Sequence, residues 1–246
     1  MGAAEVFGTN PIEKWLKDHD GLMLDVVEVF STIQGEGPHA GLRATFVRLA
    51  GCHLRCYFCD TDFTSTRRMI PMMAVVSQAQ AYKNDLVVLT GGEPMRQNIV
   101  PLCSMLTSVG LHVQIETAGS FWPYLRPEFD AMVEAGQVSI VVSPKTSSVH
   151  QKITEYATAW KYIVSANDVK DVNDGLPITD TQRKEDKDYK LLARPPRHLA
   201  RDRIYVQPMD EPDAEYVASN VARCVKLVTL FGYRLSLQQH KIVGVP

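Results

Sequence analysis

The chain has 246 residues, of which 45% are hydrophobic, so it is long enough to bury one sizeable core. Its formal net charge of -2 excludes a strong overall field for nucleic acid or an anionic membrane surface. No apolar run approaches the roughly 18 residues of a membrane-spanning helix, and the first residues do not have the pattern of a secretory signal. These features predict a cytoplasmic protein with one main domain.

Short apolar runs alternate with longer amphipathic stretches, which predicts an α/β fold with a largely parallel sheet. An N-terminal extension over 1–23 is expected before an extra strand at 24–32 and a core that runs to residue 246. The other predicted strands lie at 44–49, 86–90, 112–116, 139–143, 160–164, 204–207 and 234–238. Helices are predicted at 71–84, 96–110, 123–136 and 213–232. The polar stretch 165–203 is predicted to be an exposed insertion with some helix.

Candidate functional residues follow one predicted strand after another. Cys52 follows the strand at 44–49. A Thr-Gly-Gly-Glu-Pro segment that starts at Thr90 closes the next strand, and Glu116 closes the third. In barrels and open α/β sheets, functional groups gather at the carboxyl edge of the strands. The positions of these motifs therefore predict one site at that edge.

The cysteines predict metal or redox chemistry. There are five, an odd number, and three of them lie within eight residues as Cys52, Cys56 and Cys59, a poor framework for disulfides. Clustered thiolates suit zinc or an iron–sulfur cluster. Zinc would need a fourth ligand, for which His53 or a distant residue is the candidate. The remaining cysteines fall within amphipathic helical patterns and are expected in the core.

The Cys-x3-Cys-x2-Cys spacing, with Phe58 before the last cysteine, resembles the motif of radical S-adenosylmethionine (SAM) enzymes. The segment that contains Gly92 and Glu93 resembles their second motif. The resemblance implies a 4Fe–4S cluster with one iron left open for SAM, as well as cleavage of SAM to a 5′-deoxyadenosyl radical. Taken alone, Glu93 would be an ordinary acid at a helix N-terminus.

Further segments narrow the resemblance. They are 30–37, 46–52, 59–61, 115–119, 142–145, 207–210 and 236–241. Together they resemble the 7-carboxy-7-deazaguanine synthases from about residue 24 onward, except in the polar insertion. The resemblance implies a partial (β/α) TIM-like barrel of the radical SAM type, and conversion of 6-carboxy-5,6,7,8-tetrahydropterin to 7-carboxy-7-deazaguanine with release of ammonia. It also implies Mg²⁺, a homodimer and an electron donor such as flavodoxin; no direct nucleic-acid or membrane partner is expected.

The same resemblance implies residue roles, none of which is a protein acid or base. Beside the three cysteines, it assigns Thr61 to Mg²⁺. It assigns to SAM the residues Phe58, Asp60, Gly92, Glu93, Ser143, Pro144, Lys145, Gln207, Pro208, Met209 and Asp210. It assigns to the substrate the residues Ile33, Gln34, Gly35, Arg48, Thr90, Glu116 and Pro246.

Several alternatives remain open at this level. Arg48 has an alternative role as a strand residue paired with a structural acid, and Pro246 as part of a frayed tail. Glu36 and Glu116 are candidates either for binding ring nitrogens or for holding a cationic side chain, Arg48 or Lys145. For the whole chain, the alternatives are another radical SAM activity, such as a glycyl-radical activase, and a zinc-bound scaffold or binding module.

Overall fold

The protein folds into one mixed sheet with helices packed against it. The computed structural model describes residues 10–16, 19–64, 66–123, 126–182 and 190–246. The strands are β1 (Met23–Ile33), β2 (Arg43–Leu49), β3 (Arg68–Pro71), β4 (Leu86–Gly91), β5 (His112–Thr117), β6 (Val138–Val142), β7 (Ala159–Val164), β8 (Ile204–Pro208) and β9 (Arg234–Leu235). The helices are α1 (Met72–Tyr82), α2 (Val100–Ser108), α3 (Pro127–Glu134), α4 (Gln151–Tyr156), α5 (Ala214–Phe231) and α6 (Gln239–Val243).

The strand order is β3-β1-β2-β4-β5-β6-β7-β8-β9. From β2 through β4 to β9 neighbouring strands are parallel, whereas β1 runs antiparallel to both β2 and β3. Since the order begins at β3 and ends at β9, the sheet does not close, and the predicted partial TIM-like barrel is confirmed. None of the helices in the described ranges combines the length and apolar character that a membrane crossing requires.

Successive side chains of each strand point to opposite faces of the sheet. One face packs against the helices to form the core, and the other lines the barrel interior. Val47 and Leu49 of β2 belong to the main core cluster, together with residues of α1, α2 and α5. The alternate residues of β2, which include Phe46 and Arg48, face the other side of the sheet. There, Phe46 packs with a small apolar cluster formed by Ala44, Leu86 and Val88. Towards the carboxyl ends of the strands the interior becomes polar, where Arg48 of β2 pairs in register with Thr90 of β4.

Some predicted boundaries were wrong, and the contacts explain one of them. The helix predicted at 96–110 begins only at Val100, after a short 3-10 turn, because the Gln97 side chain bonds both backbone groups of Asp25 on β1. The strand predicted at 234–238 has only two paired residues, and α6 follows it. The sequence interpretation also missed β3 and α4.

The polar stretch 165–203 is not simply an exposed insertion. Leu176 and Leu192 are buried in the main core, and Gly175 lies where a Cβ would meet Leu227 and Phe231 of α5. Within 165–182 and 190–203 the only helical turn is a 3-10 turn at Arg201–Arg203, so the helix expected there is not found in the described part. Residues 183–189 lie outside the described residues.

The described part of the predicted N-terminal extension packs against the cysteine loop. The backbone N–H of Glu13 donates to the carbonyl of Cys52 at 2.7 Å, and that of Leu16 donates to Arg96 at 3.0 Å. The Arg96 guanidinium is almost completely buried and lies 3.3 Å from the Glu13 carboxylate. Residues 10–16 therefore form part of the wall beside the cysteines, while residues 1–9 lie outside the described residues.

We expect Arg96→Met to destabilise the protein by about 3 kcal/mol, because it removes the buried cation that holds Glu13. The loss falls at the low end of the range for buried pairs, since Arg67 still contacts Glu13. Urea denaturation measures the change, and hydrogen exchange should show faster exchange in residues 10–16. Arg43→Met is the matched control, because its pair with Asp85 is exposed and contributes about 1 kcal/mol or less. Equal losses in the two variants would contradict this interpretation.

Candidate active site

A cavity of about 620 Å³ opens at the carboxyl edge of the strands. It is lined by side chains from every part of the barrel rather than from one loop. The sequence-predicted residues among its lining are Gln34, Arg48, Cys52, Cys56, Phe58, Cys59, Asp60, Thr61, Thr90, Gly92, Glu116, Ser143, Lys145, Gln207, Asp210 and Pro246. The shared strand edge thus brings together residues that are far apart in the chain.

The three clustered cysteines share this cavity, and all are free thiols. Burial, together with a smaller effect of the nearby Glu93 carboxylate, raises the pKa of the Cys52 thiol to about 12. Binding of iron would therefore release protons from the site. Three soft donors that face one cavity fit an iron–sulfur cluster. The other two cysteines, Cys103 and Cys224, are buried in the core, as their helical patterns indicate.

The arrangement around His53 does not support zinc. Its ring packs against Phe121, with centroids 4.3 Å apart, and it does not line the cavity. Burial lowers the pKa of His53 to about 4. Within the described ranges, no group of three or more His, Cys, Asp or Glu side chains is placed to hold a single metal ion.

The Gly-Gly-Glu segment brings the end of β4 against the cysteine loop. The backbone N–H of Glu93 donates to Gly51 at 3.0 Å, and a Cβ at Gly92 would lie only 2.1 Å from that same carbonyl. Gly91, at φ 118°, has a conformation that L side chains rarely adopt. The two glycines therefore permit a close approach of backbone beside Cys52.

The Glu93 carboxylate itself is buried and bound by the protein. It accepts hydrogen bonds from the Thr117 hydroxyl at 2.7 Å and from the backbone N–H groups of Ala118 and Met95 at 2.9 and 3.1 Å. Burial raises its pKa, against the effect of these bonds. Glu93 does not line the cavity, so its side chain joins the end of β4 to the end of β5.

Lys161 on β7 forms the charged floor of the cavity. Its ammonium contacts the carboxylate of Glu36 and lies 3.2 Å from that of Glu116 on β5. Amide groups complete the network, since Gln207 donates to Glu36 at 3.1 Å and Gln34 donates to Glu116 at 2.9 Å. Both carboxylates are thus held by Lys161, and neither is paired with Arg48 or Lys145, the cations that the sequence suggested.

The charges in this network stabilise one another. Burial by itself would lower the pKa of the Lys161 ammonium, but attraction to Glu116 and Glu36 outweighs burial and raises it above the usual range. Burial would likewise raise the pKa of Glu36, yet Lys161 lowers it below the usual value. At neutral pH the floor therefore holds the Lys161 ammonium beside the ionised carboxylate of Glu36.

Arg48 has a structural partner, as one of its two interpretations proposed. Its guanidinium lies 2.7 Å from the carboxylate of Glu28 on β1 and over the ring of Phe30, 5.5 Å from the centroid. The Arg48 and Glu28 side chains are both about a third or more exposed. Arg48 also lines the cavity, next to Thr90 in the register of β2 and β4.

The C-terminal segment closes one side of the cavity. Lys241 donates to the carboxylates of Asp60 and Asp210, at 2.9 and 2.5 Å, and so joins the cysteine loop to the end of β8. His240 packs over Gly35, where a Cβ would lie 2.2 Å from its Nδ1 atom. Pro246 accepts a hydrogen bond from the Thr32 hydroxyl at 2.6 Å.

Five of the other predicted residues lie outside the cavity. Ile33, Gly35, Pro144, Pro208 and Met209 are not part of the cavity lining. Sequence reasoning missed the cavity residues Lys161, Asn10 and Lys241, and gave no role to His240. Lys161 lies within the predicted strand 160–164, and a lysine inside an apolar strand was the signal that could have identified it.

Comparison with known proteins decides the family. Residues 47–173, just over half of the chain, match the radical SAM superfamily. A 7-carboxy-7-deazaguanine synthase of Rhodospirillum rubrum is 39% identical over 98% of this chain and 100% of that protein. The synthase of Rickettsia prowazekii is 33% identical over 100% of this chain and 98% of its own length. This chain belongs to the 7-carboxy-7-deazaguanine synthase family.

A solved structure of this family has the same fold. The crystal structure of QueE from Escherichia coli superposes with a TM-score of 0.59 at 22% identity, covering 88% of this chain and 94% of that one. The chain is a radical SAM enzyme of the 7-carboxy-7-deazaguanine synthase family, and its described residues form a partial barrel of nine strands.

For this family member, we expect Lys161→Met to lower the free energy of unfolding by about 3–5 kcal/mol at neutral pH, because Glu36 and Glu116 lose their shared cation. Since folding lowers the pKa of Glu36, its pairing stabilises the native protein at neutral pH, and this contribution is lost as pH falls through the lowered value, below 4.5.

In the variant, the buried Glu36 carboxylate should take up a proton more readily, because Lys161 no longer lowers its pKa. The difference between native protein and variant should therefore narrow as pH falls from neutral to about 4.5, which urea denaturation at the two pH values measures. A difference that stays constant between them would show that the charge of Lys161 is not what stabilises the floor.

Proposed function

We propose that this chain converts 6-carboxy-5,6,7,8-tetrahydropterin to 7-carboxy-7-deazaguanine and releases ammonia, as a step of 7-deazapurine biosynthesis. The observation that supports it most is the single cavity, where three free thiols face the same space as paired carboxylates and amides. The thiols suit an iron–sulfur cluster, and the carboxylates and amides suit a flat, polar heterocycle.

We propose that Cys52, Cys56 and Cys59 hold a 4Fe–4S cluster. Phe58 and Lys145 line the cavity beside them, with the Lys145 ammonium 5.9 Å from the Phe58 ring centroid. The Lys145 side chain is held by the carbonyl of Ser143 at 3.0 Å. These residues, with Gly92, Gln207 and Asp210, would surround SAM. When bound, the cluster and SAM supply radical chemistry that removes a hydrogen atom from the substrate.

The polar floor is proposed to bind the pterin ring. The carboxyl groups of Glu36 and Glu116 can accept hydrogen bonds from ring N–H groups, because their oxygens have lone pairs beyond those used by Lys161. Gln34 is held between them, since its amide oxygen accepts from the backbone N–H of Glu36 at 3.1 Å. Fixed partners of this kind orient a substrate before reaction.

Arg48 is proposed to bind the substrate carboxylate, beside Thr90. Its guanidinium offers two parallel donors that match a carboxylate. Exchange of Glu28 for the substrate would cost little, because a pair that is partly open to solvent contributes about 1 kcal/mol or less. Thr61 is proposed to bind Mg²⁺, since its hydroxyl lines the cavity and lies 3.3 Å from the Asp60 carboxylate, which offers a second hard oxygen.

The resemblance to the family also supports three proposals about the setting of the enzyme. We propose that it acts as a homodimer, that an electron donor such as flavodoxin reduces it, and that it works in the cytoplasm. The assignment of 1–23 as an extension before the core at 24–246 also stays a prediction.

An anaerobic assay tests the proposed reaction. Reconstituted protein is given SAM, Mg²⁺, a strong reductant and 6-carboxytetrahydropterin, and the products are read by mass spectrometry. We expect 7-carboxy-7-deazaguanine to form. Cleavage of SAM to 5′-deoxyadenosine without the deazaguanine would favour another radical SAM activity instead, and a colourless protein that binds zinc but no iron would contradict the cluster assignment.

In the same assay, Cys56→Ala should lose both iron and turnover, because two thiolates cannot replace three around the cluster. Cys103→Ala is the matched control, since its thiol is buried in the core away from the cavity. It should retain iron and turnover. Loss of the cluster in the Cys103 variant would show that the ligand assignment is wrong.

Arg48→Met should raise KM for the pterin by about 10- to 100-fold, since hydrogen bonds to a charged group contribute about 1.5–3 kcal/mol. Steady-state kinetics with varied substrate measure the change. Arg43→Met, at the other end of β2, is the control and should leave KM unchanged. An unchanged KM in the Arg48 variant would favour its purely structural pairing with Glu28.

A further inference from the structure

Two residues of the polar stretch reach the central cysteine of the triplet. The Thr181 hydroxyl lies 3.1 Å from Sγ of Cys56, and the side-chain N–H₂ group of Gln182 lies 3.5 Å from the same sulfur. Thr181 and Cys56 are both buried. The family motifs do not include this segment, and no role for it followed from the sequence.

Backbone contacts fix this segment on two sides. The N–H of Tyr57 donates to the carbonyl of Thr181 at 3.1 Å, and the N–H of Arg55 donates to the Gln182 side chain at 3.0 Å. On the other side, the N–H of Thr181 donates to the carbonyl of Lys145 at 3.1 Å. Residues 181–182 thus lie between the cysteine loop and the loop after β6, and the donors cannot move far from the sulfur.

The sulfur atoms of the three cysteines have different hydrogen-bond donors. Cys52 accepts a backbone N–H, that of Leu54, at 3.4 Å, and the closest side-chain donor described for Cys59 is the Asn10 amide, at 3.9 Å. Cys56 alone has a hydroxyl within 3.1 Å among the described contacts. That hydroxyl also lies 3.2 Å from the Lys145 carbonyl, which already accepts from the backbone of Thr181. A thiolate is the stronger acceptor, so the hydroxyl proton points to the sulfur once iron is bound.

We propose that Thr181 and Gln182 are positioning residues that raise the reduction potential of the cluster through the Cys56 thiolate. The inference rests on the proposed ligand role of Cys56. Reduction adds one electron to the cluster, and donors to a ligand sulfur stabilise that added negative charge. The polar stretch therefore makes the cluster easier to reduce, in addition to covering part of the barrel.

The test compares midpoint potentials of reconstituted enzyme, read by the EPR signal of the reduced cluster during an anaerobic redox titration. Thr181→Val keeps the shape and removes the hydroxyl. We expect its reduction equilibrium to become about tenfold less favourable, a shift of about 59 mV to lower potential for a one-electron couple. Thr181→Ser, which keeps the hydroxyl, should stay close to the native value.

Thr146→Val is the matched control, because its hydroxyl donates to the carbonyl of Ser148 and contacts no sulfur. It should leave the potential unchanged. Gln182→Met provides a second variant, since it removes the longer contact, and it should shift the potential in the same direction by a smaller amount. The rate of iron removal by a chelator gives a readout separate from turnover, and it should rise in Thr181→Val.

The outcomes separate the two proposals. A native potential in both Thr181→Val and Gln182→Met, with four irons bound per chain, would overturn the role of these residues and leave the proposed reaction intact. Failure of the unaltered protein to bind iron would overturn the proposed function, and this inference with it. An equal shift in Thr146→Val would show a general effect of loop changes and would also overturn the inference.

Discussion

The structure of the cavity depends on one buried cation. An ammonium removed from water costs several kcal/mol unless acids and hydrogen bonds compensate it. Lys161 on β7 therefore holds Glu36, from the loop after β1, and Glu116, from β5, around itself. These carboxylates cannot turn away without leaving a charge unpaired. The result is a polar floor inside the barrel, which is where a flat heterocycle with many polar edges would find its partners.

The side of the cavity that carries the three cysteines is also assembled from distant parts of the chain. Asn10 donates to the carbonyl of Thr61, Thr181 contacts Cys56, and Lys241 joins Asp60 to the end of β8. Residues 50–63 form no helix or strand whose internal hydrogen bonds would fix the cysteine loop. The surrounding segments supply hydrogen bonds and charge instead. The N-terminal segment and the polar stretch, which lie outside the recognised motifs, are therefore structural parts of the site.

Much of the fold could be predicted because buried parallel strands have a simple pattern. The runs that became β2, β4, β5, β6, β7 and β8 all contain Val or Ile, and β4, β5 and β6 each lie between two helices in the chain, which limits their length. The misses have physical causes. β3 is a four-residue edge strand that is held by its pairing with β1. The helix predicted from residue 96 starts late because Gln97 bonds the backbone of Asp25. Neither contact is visible in a local pattern.

The sequence by itself determined the chemistry: the thiol spacing, the glycines at the end of β4 and the acids at the strand ends are local, and each needs only its neighbours to be recognised. Only the tertiary structure decided the pairing of charges. Lys161 is 125 residues from Glu36 and 45 from Glu116, and Thr181 is 125 from Cys56. Strand order and register decide which acid lies beside which cation. Residue types alone do not encode this pairing, because electrostatic interactions in a buried site depend on distances of a few ångströms.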